Sequence, residues 1–176
     1  MINEPLLMEG WLERVIIRPL EDKDLPELEW DGAYTHFRRV YTEAFRRMLR
    51  GLALIWVAEY PGVGVIGQVF IQLICERTEL ADGKLRAYLY SFRVQPAFRS
   101  GGLGTRMANF VEDDLRTRGF EYLTLNVAKD NPRAIELYER LGYQVEAHEP
   151  GRWSYMDHLG QRQYVEEPAW RMKKHL

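Results

Sequence analysis

Residues 88–107, YLYSFRVQPAFRSGGLGTRM, contain the pattern that decides the fold. The apolar, aromatic run from Tyr88 to Val94 has the composition of a β-strand and stops before Pro96. Three glycines in four positions follow, and a helical spacing of apolar residues begins at Leu103. A strand, a glycine turn and a helix start direct several backbone N–H groups and the positive end of a helix dipole toward one place. The stretch therefore predicts a binding site for an anion of the phosphate type.

The chain on either side of this stretch predicts a mixed sheet. Residues 103–118 form an amphipathic helical pattern, with Glu112 on the face opposite the apolar residues, and 122–128 is again strand-like. A helix that connects two neighbouring strands requires them to be parallel. Upstream, residues 52–60 and 65–76 are β-rich and are separated by Pro-Gly-Val-Gly, which predicts an antiparallel hairpin.

The rest of the chain adds further elements, and we expect one domain over residues 1–176. Five more runs have the periodicity of regular structure: strands at 14–20, 143–147 and 170–173, and helices at 33–50 and from Asn131 to Gly142. The segment 149–158 connects the last two predicted strands, and it is rich in aromatic and polar residues. The predicted fold class is α/β, with a mixed, mostly antiparallel sheet of about six or seven strands.

Composition limits the classes of function. The net charge of −2 argues against a nucleic-acid-binding protein, which usually has a strongly basic face. No apolar run approaches the roughly 20 residues that span a bilayer, so no membrane partner is expected. The single cysteine, Cys75, excludes an internal disulfide and a cysteine-only metal cluster, and we expect no metal. Because the first residues lack the basic segment of an export signal, a cytoplasmic location is expected.

Two separated motifs are similar to those of the GNAT superfamily of N-acetyltransferases. Residues 94–104, VQPAFRSGGLG, resemble the acetyl-coenzyme A signature of that family, Q/R-x-x-G-x-G/A. Residues 125–143, LNVAKDNPRAIELYERLGY, resemble its second motif, and 17–25 resemble its first strand and helix. The resemblance implies a sheet with helices on both faces and with a central parallel pair that splays apart at the cofactor. It also implies acetyl-CoA as the co-substrate.

The resemblance assigns cofactor-binding roles to the turn and to the strand before it. The main-chain groups of Phe92 and Val94 are expected to contact the pantetheine arm and the acetyl carbonyl. The backbone amides of the turn are expected to bind the pyrophosphate: those of Arg99, Ser100, Gly101, Gly102, Leu103, Gly104 and Thr105. The Arg99 side chain either adds direct charge or lies on the surface.

Two residues of the second motif have competing roles. Asn131 matches the family asparagine that contacts the pantetheine arm, but it also suits the N-cap of a helix whose next residue is Pro132. Tyr138 matches the family tyrosine that protonates the departing thiolate as general acid, and its alternative role is that of a core aromatic.

The general base is not evident from the sequence. Many members of the family place a glutamate on the strand before the glycine turn, where this chain has Tyr88. Glu76 and Glu59 are candidate bases acting through water, and a water relay to backbone carbonyls is a further alternative.

The acceptor is expected to be a primary amine of a small molecule or a peptide. The aromatic residues predicted to contact it are Tyr34, Tyr88, Tyr90, Trp153 and Tyr155. The acid-rich residues 21–31 favour a cationic amine, whereas the aromatic residues Trp30, Tyr34, Trp153 and Tyr155 suit an aromatic amine or a peptide N-terminus equally well. The predicted partners also include a second copy of the chain in a homodimer. Two other functions are considered: a catalytically silent sensor of acyl-CoA, and a nucleotide-binding protein. The latter is weaker because no Lys-Ser/Thr pair follows the glycines.

Overall fold

The computed structural model describes residues 9–176; the amino-terminal segment used for the export argument, residues 1–8, lies outside the described residues. Residues 9–176 form nine strands: β1 (Ile16–Pro19), β2 (Ala53–Tyr60), β3 (Gly64–Gln72), β4 (Arg86–Val94), β5 (Tyr122–Ala128), β6 (Gln144–Glu149), β7 (Arg152–Met156), β8 (Arg162–Glu166) and β9 (Ala169–His175). Seven of them form one sheet in the order β1-β2-β3-β4-β5-β9-β6. The pair β4–β5 is parallel and the other neighbours are antiparallel, as predicted.

Three α-helices accompany the strands in the described part of the chain: α1 (Arg38–Leu49), α2 (Leu103–Thr117) and α3 (Pro132–Arg140). Short 3-10 helices lie at Trp11–Arg14, Asp22–Gly32, Thr35–Phe37 and Pro96–Phe98. The predicted helix at 33–50 therefore begins later than expected, at Arg38. Among residues 9–176, no helix combines the length and the apolar character that crossing a bilayer demands.

The two faces of the sheet have separate cores. On one face, Leu103, Met107 and Val111 of α2 pack with sheet residues such as Leu125, and Tyr138 of α3 belongs to the same cluster. On the other face, Tyr41 and Ala44 of α1 pack with Leu28, Val57 and Phe70. We call these the α2 face and the α1 face. Because strand side chains alternate, β2, β3 and β4 contribute to both cores, whereas the apolar residues of β5 and β9 belong to the α2-face core.

A β-bulge interrupts β4. Gln68 pairs with Arg93 whereas Phe70 pairs with Tyr90, so β4 has one residue more than β3 over this interval. Ser91 adopts a left-handed backbone with φ of 49°, which an L-residue rarely does outside such a feature. The extra residue changes the alternation, so Arg93 joins Tyr90 on the α1 face and Phe92 turns to the α2 face.

The parallel pair separates where the bulge begins. Pairing between β4 and β5 runs from Arg86 and Tyr122 to Leu89 and Leu125 and then stops, although both strands continue. A bulge bends its strand and increases the local twist, which moves the rest of β4 away from β5. The predicted splay of the central pair is confirmed, and we call the space between the diverging strands the cleft.

One predicted strand ends earlier than expected, and one pair of strands was not predicted. The run predicted at 65–76 ends at Gln72, so the next four residues are not part of β3. The segment 149–158, for which no strand was predicted, contributes β7, which pairs with β8 in a separate two-stranded hairpin. This hairpin contacts the α1 region: Phe37 lies 4.9 Å from Tyr155 and 6.2 Å from Trp153 between ring centroids.

Candidate active site

The glycine turn joins β4 to α2 at the mouth of the cleft. Gly102 is the N-cap of α2, with a left-handed φ of 93°, and Ser100 is also left-handed, with φ of 65°. A Cβ at Gly104 would meet no atom closer than 3.9 Å, so this backbone stays open to a ligand. A Cβ at Gly101 would lie 2.5 Å from Cζ2 of Trp11. Gly101 is therefore required by packing, and only its amide is available to an anion.

Several side chains at the turn already make contacts within the protein. Arg99 Nε donates a 2.8 Å hydrogen bond to the Val94 carbonyl and so caps the end of β4. Leu103 is 1% exposed and belongs to the core, so its contribution to a ligand is limited to its N–H. Arg133 of α3, which the motif analysis did not single out, donates a 2.7 Å hydrogen bond to Ser100 Oγ. It places a second guanidinium beside the first turn of α2.

The cleft contains unpaired polar groups that suit a polar ligand. Asn126 follows the last residue of β5 that pairs with β4, and its Oδ1 is buried with no hydrogen-bond partner among the described residues. A buried polar atom without a partner costs free energy, which a bound donor recovers. The diverging backbones beyond Leu89 and Leu125 offer further groups. The residues present therefore fit an extended ligand with amide groups, such as the pantetheine arm of acetyl-CoA.

α3 supplies both predicted residues of the second motif. Asn131 Oδ1 accepts a 3.2 Å hydrogen bond from the Ala134 N–H, so the N-cap role is present and the side-chain NH₂ is left for another contact. Tyr138 is 8% exposed, with its ring 5.7 Å from that of Tyr143. Burial, reinforced by the nearby Tyr88, raises the pKa of Tyr138 well above its usual range. The phenol therefore stays protonated at neutral pH, as a proton donor must.

The candidate bases lie in different places. Glu59 is on β2, next to the edge strand β1, and its carboxylate accepts a 2.8 Å hydrogen bond from Arg18 Nε. Glu76 is exposed beyond the end of β3, not on the adjoining strand as predicted. Tyr88 faces the cleft, and burial raises its pKa to about 12. The structure thus brings Tyr88 to the cleft, while the base role of Glu76 stays a prediction.

The predicted acceptor residues lie together on the α1 face. Tyr88 and Tyr90 are stacked at 5.7 Å with an interplanar angle of 6°. Tyr34 is stacked on Phe37 at 6.3 Å, and Phe37 in turn contacts the hairpin residues Trp153 and Tyr155. These five predicted residues and Phe37 border one aromatic surface, which we call the aromatic wall.

Four residues were missed by the sequence analysis: Ser91, Arg93, Asn126 and Arg133. Ser91 and Arg93 were missed because the sequence does not reveal the bulge at Ser91. Strict alternation along β4 would place Arg93 on the α2 face. A charged residue within an otherwise apolar strand was the available signal. Within residues 9–176, no group of three or more His, Cys, Asp or Glu side chains is arranged to hold a metal.

Comparisons with known proteins agree with this architecture. Residues 17–143 match the Acetyltransferase (GNAT) family. The chain belongs to this family of acyltransferases. Among curated relatives, it is 31% identical over 124 residues to the probable N-acetyltransferase camello of Xenopus tropicalis, a match covering 65% of this chain and 53% of that protein. It is 42% identical over 57 residues to the [ribosomal protein bS18]-alanine N-acetyltransferase of Salmonella typhimurium, covering 32% of this chain and 38% of that protein. These matches span about half the length of the relatives or less.

Solved structures share the fold at low sequence identity. Ard1 from Thermoplasma volcanium superposes with a TM-score of 0.71 at 18% identity, covering 93% of this chain and 98% of that one. The spermidine/spermine N-acetyltransferase SpeG from Vibrio cholerae gives 0.69 at 19% identity, with coverage of 94% and 95%. The ribosomal-protein-S18-alanine N-acetyltransferase from Escherichia coli gives 0.68 at 22% identity, with coverage of 92% and 93%. At these identities the likeness concerns the fold.

Proposed function

We propose that this chain is an N-acetyltransferase that transfers an acetyl group from acetyl-CoA directly to a primary amine within a ternary complex. The observation that carries the proposal is the cleft, which opens at the bulge of β4, beside the N-terminus of α2. Phosphate binding at that helix end and an acyl arm between the strands are then compatible with a single extended ligand. Membership of the GNAT family supports the same conclusion.

The chain's own residues have separable roles in this proposal. Bound acetyl-CoA supplies an activated thioester. The amides from Arg99 to Thr105 bind the pyrophosphate, and Arg133 adds a positive charge there. The main chains of Phe92 and Val94, with Asn126 and Asn131, position the arm.

Proton transfer is assigned to the cleft. Tyr138 donates a proton to the departing sulfur; because burial raises its pKa and so makes the phenol a weaker acid, this transfer depends on the negative charge that develops on the sulfur beside it. The acceptor amine has to lose a proton in the same reaction, and Glu76, or water relayed to backbone carbonyls, is the proposed route.

A sensor that binds acyl-CoA without turnover is the second candidate. The observation that favours it is the chemistry of the cleft, where Tyr88 and Asn126 stand and neither is a base at neutral pH. The two functions share the cofactor site and differ in turnover.

Two measurements separate these functions. Acetyl-CoA is expected to raise the unfolding temperature, because a ligand that binds the native state alone stabilises it. Release of free coenzyme A is then followed with a thiol reagent in the presence of small amines and peptides with free N-termini. Turnover with any acceptor supports the transferase, and binding without turnover across the panel supports the sensor. The absence of binding would contradict both.

A further inference from the structure

Arg93 is placed where an acceptor would approach the cleft. It lies on β4 between Phe92 and Val94, the two residues whose main chains are assigned to the thioester, and the bulge at Ser91 turns it to the α1 face. Its guanidinium carbon lies 3.9 Å from the centre of the Tyr34 ring. Arg93 thus connects the cleft to the aromatic wall.

The guanidinium is held firmly but its hydrogen-bonding capacity is not filled. Arg93 Nη1 donates to the Tyr41 hydroxyl at 2.7 Å and to Ser91 Oγ at 3.2 Å. An arginine has five N–H groups. Within the described part of the chain, Nε and Nη2 of Arg93 donate to no protein acceptor, and no carboxylate forms an ion pair with it. A half-buried charge without a counter-charge favours an anionic ligand.

The surroundings reinforce a positive potential on the α1 face. Arg47 of α1 is half-buried, donates a 2.7 Å hydrogen bond to the Ile74 carbonyl and lies close enough to act electrostatically on Tyr90. Glu149, a buried carboxylate near Tyr88, is already paired with two arginines: Arg77 at 2.7 Å and Arg171 at 3.0 Å.

Two of the acidic residues in 21–31, the segment that suggested a cationic acceptor, already form ion pairs within the protein. Asp24 is paired with Arg18 at 2.7 Å, and Glu29 is paired with Arg38 at 2.8 Å. Acids already neutralised by local arginines attract a cationic amine only weakly.

We propose that the acceptor amine carries its own anionic group, a carboxylate or a phosphate, and that Arg93 binds that group while Tyr34 and Tyr90 flank the rest of the molecule. This inference rests on the proposed acetyl transfer and names its acceptor class. The anion at Arg93 would position the amine beside the thioester, between the bulge and the aromatic wall. Arg93 is then a specificity residue that contacts substrate.

Matched pairs of amines test the proposal. Each pair differs in the anion alone: phenylalanine with phenethylamine, lysine with cadaverine, and phosphoethanolamine with ethanolamine. In at least one pair, the wild-type chain is expected to acetylate the member with the anion with a kcat/KM at least about tenfold higher. A charge-assisted bidentate hydrogen bond to Arg93 is the physical reason. The carboxylate and phosphate pairs distinguish the two sources of the anion. Equal rates, or a preference for the members that lack the carboxylate or phosphate, would overturn the proposal.

Variants assign the preference to Arg93. Arg93→Gln is expected to bring the ratio within each pair close to one while acetyl-CoA binding is kept, and Arg93→Lys is expected to restore part of it. A preference that persists in Arg93→Gln would show that Arg93 is not responsible. Unfolding temperature and acetyl-CoA affinity, measured for each variant, report folding, and the wild-type ratios decide the acceptor class even if a variant is unstable.

A failure of acetyl transfer itself is distinguished from a failure of the anion site. If no amine or peptide is acetylated, transfer itself is contradicted. Calorimetry of the same compounds with wild type and with Arg93→Gln then tests whether Arg93 binds an anion, independently of acetyl transfer. Selective binding of the anionic members that is lost in Arg93→Gln would support the site, and equal binding would overturn it.

Discussion

At the scale of single residues, the glycines of the turn differ in what they are required for. Gly102 has φ of 93°, a conformation that L-residues with a side chain adopt at a cost, and it precedes the first turn of α2. Gly104 lies within the helix, and a Cβ there would make only ordinary van der Waals contacts, 3.9 Å from Leu137 and 4.0 Å from Phe92. We therefore expect opposite effects from substituting these two positions.

Gly102→Val is predicted to weaken acetyl-CoA binding at least about tenfold, because the new side chain disturbs the amides that face the pyrophosphate. Gly104→Ala serves as the matched control. It is expected to keep the affinity and to gain up to about 1 kcal/mol of stability, since alanine favours a helix more than glycine does. Isothermal calorimetry and thermal unfolding measure the two effects. If Gly102→Val binds acetyl-CoA as the wild type does, the turn is not the phosphate site.

Tyr138→Phe separates the chemical role from the packing role of this side chain. The ring packs in the α2-face core and is expected to keep its place, so the unfolding temperature and acetyl-CoA affinity should change little. The turnover number should fall by about 10²-fold, within the range for loss of a general acid. Steady-state kinetics and direct binding distinguish these outcomes, and unchanged turnover would leave Tyr138 as a core aromatic.

At the scale of elements, a buried carboxylate connects α2 to the edge of the sheet formed by β9 and β6. The helical pattern places Glu112 opposite the apolar residues, yet its side chain is 2% exposed. It accepts a hydrogen bond from the Tyr143 hydroxyl at 2.9 Å and is paired with Lys174 of β9 at 2.9 Å. The helix that carries the glycine turn thereby has a fixed position relative to β9 and to the start of β6.

Glu112→Gln is predicted to destabilise the fold by about 3 kcal/mol, because it removes one partner of a buried ion pair and leaves Lys174 without its counter-charge. Asp113→Asn, one residue along the same helix, is the control: Asp113 is 78% exposed and its pair with Arg116 lies in solvent. Urea unfolding compares the two variants. A similar small effect for both would mean that the Glu112 contacts do not stabilise the native state.

Sequence patterns are sufficient to predict some elements of this fold and insufficient for others. Periodicity and the glycine turn predict β4, α2, β5 and α3 because each pattern depends on neighbouring residues and on one buried face. Glu112 was misplaced because its burial depends on Tyr143 and Lys174, which are distant in sequence. The role of Arg93 follows from one bulge residue, Ser91, whose backbone no periodicity indicates. The hairpin β7–β8 was missed because its strands are short and largely exposed, and the alternation of Trp153 and Tyr155 with polar residues covers too few positions to indicate a strand.

At the scale of the whole molecule, tyrosines on both faces of the sheet make the stability of the fold sensitive to alkaline pH; Tyr138 and Tyr143 are buried, and Tyr88 and Tyr90 are half-buried. Burial raises the pKa of each of four tyrosines: Tyr88, Tyr90, Tyr138 and Tyr143. In the unfolded chain these phenols ionise near pH 10. Above about that pH, the folded chain therefore binds more protons than the unfolded chain, and its stability falls as pH rises.

The free energy of unfolding is accordingly predicted to be flat with respect to these phenols below about pH 9 and to fall above about pH 10, by up to about 1.4 kcal/mol per pH unit for each buried phenol. Tyr90→Phe should reduce this slope by up to one such increment, because phenylalanine does not titrate. Tyr164→Phe is the control, because Tyr164 is 83% exposed and this variant removes a phenol that lies in solvent. Urea unfolding at pH 8 to 11 measures the slopes. An unchanged slope in Tyr90→Phe would mean that this phenol ionises in the native state as readily as in water, and so that the α1 face beside Arg93 is open to solvent.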